Sequence, residues 1–170
     1  MMESMVEKTT QTPAVGASRQ MLRHTLATLA YRGSRALQGA PESFAAFQEE
    51  TGRNPLQIVA HMGDLFDWAL SCAQGKQKWQ TATPKAWPQE VKRFFTALRA
   101  FDDYLASDLP LGYPVEKLFQ GAVADALTHV GQINLLRRLA GCPIKGENYF
   151  VAEITTGRVG EEQAVPVRQF

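Results

Sequence analysis

A chain of 170 residues with 45% hydrophobic and 21% charged side chains is long enough for a single domain around one core. Eighteen Lys and Arg stand against seventeen Asp and Glu, a formal net charge of +1, which provides no global field for holding nucleic acid or an anionic membrane surface. Every apolar run is broken by charge well short of the ~18 residues a membrane span needs, Glu3, Glu7 and Lys8 occupy the place of a secretory apolar block, and Cys72 and Cys142 lack any paired spacing; together these predict a cytoplasmic protein with two reduced thiols.

Residues 1–14 read as a flexible N-terminus. From Ala17 to Leu37 the residues Leu22, Leu26, Leu29, Gly33 and Ala36 recur three and four apart, which predicts one face of a helix ended by Gly39 and Pro41. The stretch PESFAAFQEE allows at most a short helical turn. Asn54 and Pro55 then start a second helix, an amide able to cap and a proline whose missing N–H is not needed in the first turn. Its stripe is Ile58, Met62, Leu65, Ala69 and Cys72, and it ends before Gly75. After the rigid crossing TPKAWP, Trp87 and Pro88 open a third helix in which Val91, Phe94, Phe95, Leu98, Phe101 and Leu105 form an apolar stripe. Asp108 to Pro114 is a turn, and Val115 to Ala140 predicts a long fourth helix closed by Gly141 and Pro143. Beyond it, Tyr149, Val151 and Ile154 alternate with polar neighbours, the pattern of an extended strap or a short strand. The expected architecture is all-α: a four-helix bundle over residues 15–142 with a C-terminal strap, 143–170, packing on it.

Polar residues interrupt two of these faces. On the fourth helix Leu118, Ala122, Asp125, His129, Gln132 and Leu136 fall in one stripe, and Asp125 and His129, four apart, stack on adjacent turns and can reach a common atom. On the second helix His61 shares a stripe with Ile58, Leu65, Trp68 and Cys72. Two imidazoles and a carboxylate are donors that zinc, nickel, manganese or iron(II) accept, and three protein ligands leave positions open for water or substrate. Spacing leaves a structural alternative open as well: a hydrogen-bonded i,i+4 pair at the edge of the bundle and a separate core histidine.

The strings DALTHVGQINLLRRLAG and NPLQIVAHMGDLFDW resemble the DinB-like (DinB/YfiT) superfamily of metal-binding four-helix bundles, in which a helix-two histidine and an H-x-x-x-H-x-G-Q-I segment on the last helix supply three ligands. His61, His129, Gly131, Gln132 and Ile133 match; Asp125 stands at the first histidine of the segment. A carboxylate there is similar to the thiol-dependent maleylpyruvate isomerase branch, where Glu holds the position; Asp, a methylene shorter, would bind through a water or a shifted helix. The resemblance implies a divalent metal on His61, Asp125 and His129, zinc or nickel ahead of manganese or iron, a thiol S-transferase, isomerase or hydrolase chemistry on a small-molecule thiol or electrophile, and a homodimer.

Other residues read as structural. His24 sits beside the main stripe of its helix, at an edge. Asp64 and Asp67 read as helix-surface carboxylates, with orientation of the His61 ring as the alternative. Arg137 and Arg138 suit the negative end of the fourth helix, Arg158 in TTGRVG is a solvated turn residue or an anion contact, and Trp68, Trp79 and Trp87 are core or rim aromatics. The competing functional reading is a non-enzymatic bundle that dimerises or binds a partner through a face such as Phe94 and Phe101. Direct action on DNA is disfavoured by the charge balance, with no Lys and Arg stripe for counterion release.

Overall fold

The structure, a computed structural model, describes residues 13–48 and 52–170, with side chains from residue 16 onward. The segment 1–14 expected to be flexible therefore lies outside the described residues, except that Pro13 and Ala14 already belong to the first helix. The regular elements of the described residues are helical: α1 (Pro13–Leu37), a 3-10 turn (Glu42–Ala46), α2 (Pro55–Ala73), α3 (Trp87–Ala106), and a last helical rod built from α4 (Val115–Leu118), a π turn (Phe119–Val123) and α5 (Ala124–Leu139). Among the described residues there is no strand. The tail expected as a strap or strand makes one 3-10 turn, Tyr149–Val151, and a single antiparallel bridge between Glu147 and Gln169. No helix among the described residues is long and apolar enough to cross a membrane.

The helix starts follow local chemistry. Asn54 Oδ1 accepts the Gln57 amide at 2.9 Å, and the Gln57 side chain returns the bond to the Asn54 N–H at 3.0 Å; this reciprocal cap satisfies two of the orphan donors of α2. At the start of α3 the Gln89 side chain accepts from the Ala86 amide at 3.3 Å. At the far end of α2, Gly112 donates to Ala73 O at 2.7 Å, which ties the turn after α3 to the α2 terminus. A Cβ on Gly112 would fall 2.3 Å from the Gly75 backbone, so glycine is required there.

Both α1 and α2 pack on α3 and on α5, the α2–α3 contact being the most extensive. The core they enclose contains the whole expected stripe of α3, from Val91 to Leu105, together with Leu26, Leu29, Ile58, Met62 and Phe66. Phe94 and Phe101, considered as a dimerisation face, are completely buried; that expectation is corrected, because they fill the space between α3 and α2, where Phe66 lies 5.9 and 6.1 Å from them, ring to ring.

On the last rod the expected stripe is kept in part. Leu118, Ala122 and His129 are buried, and beside them the buried face runs through Val123, Ala126, Val130, Ile133 and Arg137. A π turn, Phe119–Val123, precedes Asp125, and its wider turn takes up one extra residue. Asp125 lies at the rim and Gln132 is exposed.

The tail lies along α1. Val159 is buried in the core, Ser34 Oγ donates to Glu161 O at 2.8 Å, and Arg32 stands 4.2 Å over the Tyr149 ring. The Tyr31 hydroxyl donates to the buried Glu147. Burial, then the hydrogen bond to Glu147 and its charge, push the Tyr31 phenol up to about 12. A phenol in the unfolded chain ionises near ~10, so this contribution to stability is intact below pH ~10 and is lost as pH rises toward ~12. Denaturant unfolding over that window is expected to show a loss of roughly 2 kcal/mol for the wild type, absent in Tyr31→Phe; parallel curves for the two proteins would contradict it.

Candidate metal centre

His61 on α2 and Asp125 and His129 on α5 converge between adjacent helices. Their ligand atoms all lie within 4.8 Å of one another. The Asp125 carboxylate turns one oxygen to each imidazole: Oδ2 is 3.6 Å from His61 Nε2 and Oδ1 is 3.5 Å from His129 Nε2. The two rings are perpendicular with centroids 5.0 Å apart. A tetrahedral ion with bonds of ~2.0–2.1 Å needs donors ~3.3 Å apart. The Asp125 carboxylate spans the two imidazoles through different oxygens, each within a few tenths of an ångström of that spacing from its ring nitrogen, and one donor atom from each residue fits within 4.8 Å.

The chemistry of each donor fits. His129 is buried, and its Nδ1 lies 2.8 Å from Gln132 Oε1. Because an amide oxygen only accepts, this contact places the proton of a neutral ring on Nδ1 and leaves Nε2 with a lone pair. That Nε2 is buried and takes no hydrogen bond from the protein, a cost that a bound cation would remove. His61 is held toward its neutral form: burial lowers its pKa most, then the positive charge of Arg53 and the neighbouring His129, against the opposing pull of Asp125. Asp125 keeps 46% of its side chain exposed, so the group is open to solvent on the carboxylate side.

The three residues expected as ligands, His61, Asp125 and His129, are thus brought together. The structural alternative of an unrelated core histidine does not describe His61, which faces the pair. Other expectations change. Asp64 is buried, not on the surface, and its carboxylate is turned onto Arg93 Nη1 at 3.0 Å and the Ala82 amide at 3.3 Å, away from the role of orienting His61. His24 is exposed, with Nδ1 3.3 Å from Thr156 Oγ1, and takes no part in the centre.

Two contributors were not legible as such. Gln132, matched only as a motif letter, fixes the His129 tautomer, the second interaction that a ligating imidazole needs. Trp79 lies in the 74–86 connection, where no periodicity signals a partner, yet its ring is 5.7 Å from His61 and 6.1 Å from Trp68. The connection is pinned on both flanks of Trp79 by Ser71 Oγ accepting the Lys78 amide at 2.9 Å, Asp64 accepting from Ala82, and Glu90 accepting the Lys85 amide at 2.9 Å. Arg93 holds the two carboxylates in place, donating to Glu90 at 2.8 Å and to Asp64. A Cβ on Gly63 would lie 2.6 Å from the Arg93 guanidinium carbon, so the absence of a side chain at 63 makes room for the clamp.

No protein-family model, curated protein or solved structure matches this chain.

Proposed function

We propose that the chain is a DinB-like four-helix bundle in which His61, Asp125 and His129 hold a divalent ion, zinc or nickel ahead of manganese or iron, for enzymatic work on a thiol or water nucleophile. The observation that carries this reading is the buried, unbonded lone pair of His129 Nε2 facing Asp125 and His61. An ion bound there supplies the Lewis acidity that brings a thiol or a water toward its anion at neutral pH. The protein's part is to present two neutral imidazoles, one fixed by Gln132, and to leave the half-exposed Asp125 side open for a small thiol or electrophile. The free thiols of Cys72 and Cys142 support a reducing, cytoplasmic setting.

Elemental analysis of untagged protein tests the centre, and consumption of low-molecular-weight thiols against a panel of electrophiles tests the reaction. About one ion per chain and turnover that disappears on chelation are expected. A chain without metal sinks the centre; a loaded chain inert across the panel sinks the enzyme while leaving the centre.

The alternative, a non-enzymatic dimerisation or partner-binding module, has one observation in its favour: Phe150 is 97% exposed, and Val165, Val167 and Phe170 are exposed in the same tail. A homodimer through the tail is compatible with both readings. Light scattering is expected to give a dimer mass for the wild type and a monomer mass for the double variant Phe150→Ser, Phe170→Ser, and equal masses would exclude a tail-built interface. Deleting the tail is a poorer test, because Val159 is part of the core.

A further inference from the structure

A cleft of about 480 Å³ lies between α2 and the start of the last rod. Trp68, Ala69, Cys72, Leu118 and Ala122 give it apolar walls, and Gln77, Tyr113 and Gln120 add polar groups. Lys117 is the one charged residue among those that line it. No hydrogen bond or ion pair engages the Lys117 ammonium among the described residues. Cys72 adds no charge, since burial pushes its thiol up. The volume is in the range of small-molecule sites, which are mostly apolar with a few placed polar groups.

The local backbone keeps this space available. The π turn Phe119–Val123 falls on the cleft wall, and such turns concentrate at functional sites. Gly121 within it has no side chain, and a Cβ there would stand 3.2 Å from the Trp68 ring. Any larger residue at 121 therefore displaces the indole or occupies the cleft. The cleft also adjoins the metal-ligating group: Gly121 is one turn before Asp125 on the same rod, and Trp68 meets Trp79, which meets His61.

We propose that this cleft binds a small aromatic monocarboxylate, its ring against the Trp68 indole and its carboxylate at Lys117. An aromatic side chain in an apolar wall favours a ring, and one unpaired cation at the mouth selects a single anionic group. This names a substrate class for the reaction proposed above and rests on that reading for the ligand's role, though not for its binding.

The test is calorimetric titration of the full chain with 4-phenylbutyrate and with its uncharged amide, 4-phenylbutanamide. One saturable site is expected, with Kd on the order of 1 mM or below for a ligand of about 12 heavy atoms. The amide is expected to bind about fivefold more weakly, the worth of one rim charge. Lys117→Glu should abolish the preference for the carboxylate, and Gly121→Leu should remove binding of both. Lys117 is exposed, so its variant keeps the test decisive where Gly121→Leu does not fold. His129→Ala should retain 4-phenylbutyrate while losing metal, which separates failure of the cleft from failure of the centre. Absence of saturable carboxylate binding by the wild type, or an undiminished carboxylate preference in Lys117→Glu, overturns the proposal.

Discussion

His129→Ala is expected to lower the affinity for zinc or nickel by at least about a hundredfold, with the helical circular dichroism spectrum unchanged. The substitution removes the one donor that is buried, tautomer-fixed and without another partner. The helices do not depend on it, because their core is closed by Phe66, Phe94, Phe101, Leu26 and Ile133, all completely buried. Gln132→Leu serves as the companion: it leaves the donor atom in place but removes the acceptor for Nδ1–H, for an expected loss of about 10- to 100-fold. Asp125→His should keep or strengthen binding of a borderline metal, since the rim position has room for an imidazole. Dialysis against a metal-buffering chelator followed by elemental analysis reads all of these. Full metal content in His129→Ala together with a melted fold would make His129 a structural residue and end the assignment.

The largest expected effect on stability is at Arg137. Its place in the last turn suits the end of its own helix, but its side chain is buried and reaches across to α1. Nη1 donates to Ala36 O at 3.0 Å and Gln38 O at 2.7 Å, Nη2 to Gly39 O at 3.3 Å, and Nε to Cys142 O at 2.8 Å. These include carbonyls at the end of α1, which have no partner within their own helix. Arg137→Ala removes four charge-assisted bonds at once, the one to Ala36 O fully buried, for an expected cost of about 3 kcal/mol. For a chain of this length that corresponds to a fall in Tm of roughly 6–12 °C. Arg138→Ala, on the exposed side, should stay within about 0.5 kcal/mol of the wild type. Equal effects at both positions would return Arg137 to a simple helix-end charge.

Where the determinants were local, the sequence was sufficient. The Asn54–Pro55 start of α2 and the α3 stripe from Val91 to Leu105 rest on capping geometry and on a 3.6-residue period, both of which are properties of a short segment. The pairing of Asp125 with His129 is of the same kind, since four residues along a helix place two side chains on one side whatever lies opposite. His61 stands out on its own stripe as a third donor, but that it faces this pair is settled by packing between segments far apart in the chain.

Four features were decided only in three dimensions. The π turn at Phe119–Val123 adds a residue to the rod just before Asp125, which lies half-exposed at the rim; a regular period does not register such an insertion. Trp79 reached His61 because distant groups, Ser71, Asp64 and Glu90, hold its loop. Asp64 was drawn inside by Arg93, a pairing between helices. Phe94 and Phe101 became core rather than interface because the opposite wall, Phe66, belongs to another helix. The amino-acid order therefore determined the helices, their ends and the donor types, while packing determined which side each donor faces, because burial is a property of the neighbour across the gap as much as of the residue itself.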